Sequence, residues 1–229
     1  VNIVHFANIV HFDDKEMGPV TGFLGKRKTY VSAILGAALV LAGCSSGAES
    51  SPEATFAKEL IGTYERVEPV PAPDGSTAYL RQTVAVSASD SPNTVTQTLT
   101  TEAFFDEELT QAVLKYDSVG PCVVVQPSSI PGGFEVDCTN DSSTLTAFVT
   151  EPALLEGLGI DDCDLTAGEP ADVSNGCAAP TFLVSNCVDM DVFALSEDGA
   201  NFSWGDQTQN RCERRSTELE PESFQRVTS

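Results

Sequence analysis

Cys122-Val123-Val124-Val125 and Phe134-Glu135-Val136-Asp137-Cys138 flank the stretch Pro127-Ser128-Ser129-Ile130-Pro131-Gly132-Gly133. Short β-branched runs on either side of a Pro/Gly cluster read as a β-hairpin. Folding the chain about Ile130 sets Val124 opposite Val136 and Cys122 opposite Cys138. Directly opposed strand residues lie close enough to be bridged by a disulfide. Closing that loop stabilises by about 3 kcal/mol on the chain-entropy estimate. The stretch therefore predicts antiparallel β structure in an oxidising compartment.

The same grammar repeats on both sides. Residues 62–68 read as a first strand after a short amphipathic turn at 56–61. Residues 79–86 and 94–101 are rich in Val and Thr and are separated by Asp90-Ser91-Pro92-Asn93, a hairpin with a longer loop. Residues 106–116 are ambiguous, helical in their Glu-Glu-Leu-Thr-Gln-Ala content and strand-like from Val113 to Tyr116. Residues 143–150 put Leu145, Ala147 and Val149 on one face of a strand. Residues 151–158 form the best helix candidate, with Thr150 as cap, Pro152 in the first turn and Gly159 at the end. Residues 161–179 hold little apolar content and two cysteines, and read as a stapled loop. Strands are expected again at 181–184, 188–195, 200–204, 210–215 and 224–227, with the tight-turn dipeptide Asp198-Gly199 between two of them. About eight to ten short strands with one short helix describe a mainly β chain, either an antiparallel barrel or a β-sandwich.

Upstream, Lys26, Arg27 and Lys28 precede an apolar run over residues 30–42 that ends in Leu41-Ala42-Gly43-Cys44. The run is shorter than the roughly 20 residues of a spanning helix. A basic region, a short apolar stretch and small residues are the pattern of a secretory signal. Small residues ending at a cysteine resemble the lipobox of bacterial lipoproteins. That resemblance implies cleavage before Cys44 and a diacylglyceryl group on its sulfur. Two acyl chains, at about 0.8 kcal/mol per buried methylene, anchor stably where one does not. It also implies, through Ser45, the outer membrane of a Gram-negative host, facing the periplasm. Asn2-Ile3-Val4-His5-Phe6 is nearly duplicated at Asn8-Ile9-Val10-His11-Phe12, outside this pattern, so the reading starts the signal at Met17. The organisation expected is a signal over 1–43, a lipidated N-terminus and tether over 44–57, and one β domain over 58–229.

Both histidines, His5 and His11, fall within residues 1–43. The remaining 186 residues thus lack histidine-based nucleophilic machinery, general bases and metal sites. They carry 31 acidic and only eight basic side chains. Such a surface repels nucleic-acid phosphate, which excludes nucleic acid as a partner. Six cysteines follow Cys44 (Cys122, Cys138, Cys163, Cys177, Cys187 and Cys212), and no two are spaced as Cys-x-x-Cys. Three disulfides are expected. Beyond Cys122–Cys138 the pairs anticipated are Cys163–Cys177, closing the acidic loop, and Cys187–Cys212, joining late strands.

Leu60-Ile61-Gly62-Thr63-Tyr64 resembles the Gly-x-Trp strand that opens lipocalin-like barrels, with Tyr64 in the Trp position. In such folds a basic side chain from the end of the chain packs over that ring. Arg214 and Arg226 are the two candidates here. The resemblance implies a barrel interior lined by Val, Leu and Phe that holds a small apolar molecule.

Chemistry beyond this is sparse. Asp161, Asp162 and Asp164 form a candidate Ca²⁺ loop but lack the glycine and distal glutamate of an EF-hand. Asp189 and Asp191 share one side of a strand without a third ligand nearby. No catalytic motif is present and no cofactor is implied. The leading expectation is a membrane-anchored lipoprotein whose β domain binds a small apolar ligand or an envelope partner. The alternatives are a structural or inhibitory envelope protein acting through its outer surface, and a histidine-free hydrolase built on paired carboxylates.

Overall fold

The computed structural model describes residues 50–72, 75–176, 187–208 and 211–228. The signal segment, Cys44, Cys177 and the strand expected at 181–184 lie outside the described residues. Among the described residues there are ten strands: β1 (Gly62–Pro71), β2 (Thr77–Ala88), β3 (Thr94–Phe104), β4 (Ala112–Pro127), β5 (Gly133–Cys138), β6 (Ser142–Ala147), β7 (Pro170–Asp172), β8 (Asp189–Leu195), β9 (Asn201–Trp204) and β10 (Phe224–Arg226). Two short helices accompany them among the described residues, α1 (Pro52–Leu60) and α2 (Pro152–Leu158). Pairing runs β1-β2-β3-β4-β5-β8-β9-β10 and returns from β10 to β1. This ring is a closed, antiparallel, eight-stranded barrel, which decides between barrel and sandwich.

The founding hairpin takes the expected register, Cys122 opposite Cys138 and Val124 opposite Val136, before a bulge shifts Gln126 onto Glu135. The Cys122–Cys138 disulfide is formed. β6 continues β5 along the same edge of β4, from Val119↔Ser142 to Leu114↔Ala147. The join crosses Gly120, where an added Cβ would lie 1.8 Å from the Thr139 carbonyl oxygen. No side chain fits beneath that crossing. Past the join the wall divides, because β5 pairs with β8 while β6 pairs with β7.

β1 meets β10 only at Tyr64 and Glu65, so its second half has no strand on that side among the described residues. Val227 N–H donates to the Thr63 carbonyl, which fixes odd-numbered β1 residues as facing that side. Pro69 and Pro71 are odd and carry no N–H, so the open edge offers fewer donors to a foreign strand.

Several expectations need correction. α1 begins at Pro52, inside the stretch read as tether, with Ser51 accepting from Ala54 N–H as its cap. Its polar first turn resembles a linker, so in the sequence only the apolar residues from Phe56 onward show as structured. Residues 106–111 are neither helix nor strand. The Asp106 carboxylate accepts from the Thr110 and Gln111 N–H groups and shapes the β3–β4 turn. α2 is capped by Glu151, not Thr150, with no side-chain hydrogen bond, while Gly159 closes it at φ 68°. The loop at 161–179 contains β7, whose three residues show no alternation to betray it. Residues 211–215 form no strand, because Arg211 and Arg215 turn toward carboxylates of β8 and β5. The Cys187–Cys212 disulfide is formed. Cys163 is disulfide-bonded as well, and the expected partner Cys177 lies outside the described residues.

Candidate functional site

The barrel interior is layered. At the base, Phe56, Ala57 and Leu60 of α1 enter the core. Phe56 stacks on Phe134 of β5 at 4.3 Å between ring centroids. Above them Tyr64, Phe193, Phe202 and Phe224 are fully buried. Phe202 sits at their centre, 5.1 Å from Phe193, 5.2 Å from Tyr64 and 5.7 Å from Phe224. Alternation places these rings inward, and their mutual packing leaves this half of the barrel filled.

Tyr64 is held from two sides. Its hydroxyl donates to the Leu60 carbonyl at 3.0 Å and accepts from Arg226. The Arg226 guanidinium lies 4.8 Å from the Tyr64 ring centroid. It also donates to the carbonyls of Gly199, Ile61 and Glu59 at 2.8, 3.0 and 2.9 Å. Of the two arginines considered for this place, Arg226 occupies it and Arg214 is exposed. A Cβ on Gly62 would lie 2.8 Å from Arg226 Nη1, so the glycine makes room for the guanidinium. Burial pushes the Tyr64 hydroxyl above its ordinary pKa, with Arg226 opposing.

A polar row lies across the next level. Arg66, Gln82, Thr101 and Tyr116 are successive directly opposed residues of β1, β2, β3 and β4. Arg66 Nε donates to Gln82 at 2.7 Å, and Nη1 donates to Glu220 at 2.6 Å. Trp204 Nε1 donates to the same Glu220 oxygen at 2.7 Å. The Arg66 guanidinium lies 4.5 Å from the Phe224 ring and 5.3 Å from the Trp204 ring. Arg66 thus seals the aromatic half with a charged, paired cap.

Beyond the row the interior is apolar again. Val70, Leu80, Ala103, Leu114, Leu145 and Ala147 form a second cluster, against which Leu154, Leu155 and Leu158 of α2 pack. A pocket of about 40 Å³ opens there, lined by residues that include Val70, Ala78, Ala103, Leu114, Leu154 and Leu158. Ligand sites ordinarily measure about 300–1,000 Å³, so this one admits a few atoms at most.

A third arrangement lies on β8. Asp189 and Asp191 do share one side, and Arg211 bridges them at 3.0 and 2.8 Å. Where a metal would need a third ligand, a guanidinium already sits between the two carboxylates. No protein-family model matches this chain, and no curated protein is similar to it in sequence. Among the described residues, no group of three or more Asp, Glu, Cys or His is arranged to hold a metal ion. Asp161, Asp162 and Asp164 are exposed on the loop after α2. Sequence reasoning missed Arg66 and Glu220, 154 positions apart, because nothing local couples them. The signal available was scarcity: eight basic side chains among 31 acidic ones make each arginine drawn into the fold a candidate for an internal ion pair.

Proposed function

We propose that this chain is a lipid-anchored lipoprotein of a bacterial envelope whose lipocalin-like barrel recognises a basic partner protein through its outer surface. The packing of the described interior carries the reading, since the aromatic half is occupied by its own buried rings and the pocket beneath α2 measures about 40 Å³. Export is supported by the basic cluster and the Leu41-Ala42-Gly43-Cys44 sequence, and by disulfides that need an oxidising compartment. The lipocalin-like description is supported by ring closure and by Arg226 over Tyr64 beside Gly62. The partner's charge follows from where the basic residues go. Arg66, Arg81, Lys115, Arg211 and Arg215 pair with the protein's own carboxylates, and Arg226 binds carbonyls. Lys58 and Arg214 are exposed, but against 31 carboxylates they leave the surface strongly negative in net charge, a field that steers cationic surfaces.

The test uses full-length protein in a bacterial host, carrying a photo-crosslinker at Val123 or Val125 on the outside of β4, both exposed. Discrete adducts that weaken with added salt, and loss of membrane association in Cys44→Ser, support the proposal. An apolar molecule retained in native mass spectra would refute the surface reading. It would favour the second one, a small apolar ligand beneath α2, for which the pocket there is the supporting observation.

A further inference from the structure

The described parts of the β9–β10 connection, residues 205–208 and 211–223, do not run directly from β9 to β10. Gly205 forms an isolated bridge with Leu219, and Asp206 N–H donates to Glu218. The segment then clasps β8 and β5 through two arginines. Arg211 takes Asp189 and Asp191, and its carbonyl accepts from Met190 N–H. Arg215 donates to the carbonyls of Val136 and Asp191 and pairs with Asp137 and Glu135. The Cys187–Cys212 disulfide ties the segment to the residues entering β8.

The two β8 carboxylates differ sharply. Asp191 is 2 % exposed and fully satisfied: Oδ1 accepts from Gly205 and Val192 N–H, and Oδ2 from Arg211 and Gln207. Asp189 has one oxygen on Arg211, while its buried Oδ1 has no hydrogen-bond partner among the described residues. One guanidinium thus serves two negative charges, one of which is poorly supported.

We propose that residues 205–208 and 211–223 of the β9–β10 connection form a proton-set latch, drawn tight against β8 when Asp189 is protonated and loosened when Asp189 is ionised. A proton on Asp189 removes its repulsion with Asp191 and leaves Arg211 and Asp191 as a one-to-one pair. The other charges nearby are already committed, Arg215 to Asp137 and Glu135 on β5, and Glu220 to Arg66. Burial, added to by Asp191 and opposed by Arg211 and Arg215, pushes the Asp189 carboxyl up to about 6. Protons reach it because its side chain is 27 % exposed. The disulfide keeps the loosened segment within reach, so the change is reversible.

A carboxyl raised in the closed state favours closure fully below its ordinary value of 3.8, an advantage lost as pH rises through about 6. If the loosened segment returns Asp189 to its ordinary value, linkage raises the closing equilibrium about tenfold between pH 7.5 and 5.0. Hydrogen exchange at the amides of Gly205, Asp206, Glu220 and Met190, corrected for intrinsic rates, reads this directly in the disulfide-bonded protein. Protection in the unaltered protein should rise about tenfold over that range. Asp189→Asn should show high, pH-independent protection, with β2–β3 amides unchanged as a check on folding. Quenching of Trp204, the single tryptophan and a hydrogen-bond donor to Glu220 on the segment, should fall in parallel. Flat protection in the unaltered protein overturns the latch. So does an Asp189→Asn protein that keeps the same pH dependence, which would assign it to another group.

Discussion

Replacing Arg226 by alanine removes one side chain and unties three parts of the molecule. The guanidinium binds the carbonyls of Glu59 and Ile61 where α1 passes into β1, the Gly199 carbonyl of the β8–β9 turn, and the face and hydroxyl of Tyr64. A hydrogen bond to a charged group contributes about 1.5–3 kcal/mol where water is excluded. A cation over an aromatic face contributes about 0.5–2 kcal/mol. Water can replace Arg226 at Glu59 and Ile61, which lie at the exposed end of the set. The Tyr64 hydroxyl and ring are buried and gain no such substitute. The net loss should be about 3 kcal/mol, a large fraction of the roughly 5–15 kcal/mol that holds a domain folded. With a urea slope of about 2 kcal/mol/M, the unfolding midpoint should fall by about 1.5 M. Arg226→Lys should recover little, because an ammonium can neither fork to several carbonyls nor stack flat. Arg214→Ala, at an exposed position, should stay within about 0.5 kcal/mol of the unaltered protein. Equal midpoints for Arg226→Ala and Arg214→Ala would refute the reasoning.

Other outcomes follow from the same structure. Cys122→Ala with Cys138→Ala should cost about 3 kcal/mol in urea unfolding, as expected for a loop of this length, and an unchanged midpoint would remove the staple from the stability account. Gly120→Ala drives a methyl group into the Thr139 carbonyl; soluble yield or urea stability should drop by at least about 2 kcal/mol, and full tolerance would show that the β5–β6 join moves freely. Replacing Pro69 and Pro71 by valine restores two N–H donors to the open half of β1. Concentration-dependent self-association should then be visible in sedimentation, whereas a strictly monomeric variant would mean the edge is protected by other means.

Legibility in the sequence tracked the range over which each feature is encoded. The Cys122–Cys138 hairpin was readable because turn, alternation and half-cystines all fall within a few residues, and register then follows by counting. Asp198-Gly199 announced the β8–β9 turn for the same reason, and Gly199 takes φ 66° there. The resemblance at Gly62 and Tyr64 anticipated a basic partner but could not choose between Arg214 and Arg226. Only β10 pairing with β1 at Tyr64↔Arg226 makes the choice. The hydrogen-bond cluster around Asp191 was hidden because Gly205, Gln207 and Arg211 converge on it through a loop without periodicity. Residues 210–215 read as a strand, but Arg211 and Arg215 within them serve as partners for buried and half-buried carboxylates instead.

Joining β1 to β10 has a consequence in time as well as space. The first strand finds its second neighbour only when residues 224–226 are available, and Arg226 arrives with them to clasp the end of α1. Contacts so distant along the chain form slowly, because the intervening loop must close first. A nascent chain can build the β1–β4 meander early yet cannot shut the ring. For a protein proposed to be threaded through a membrane pore before it folds, that delay keeps the polypeptide transportable, and locking is reserved for the far side.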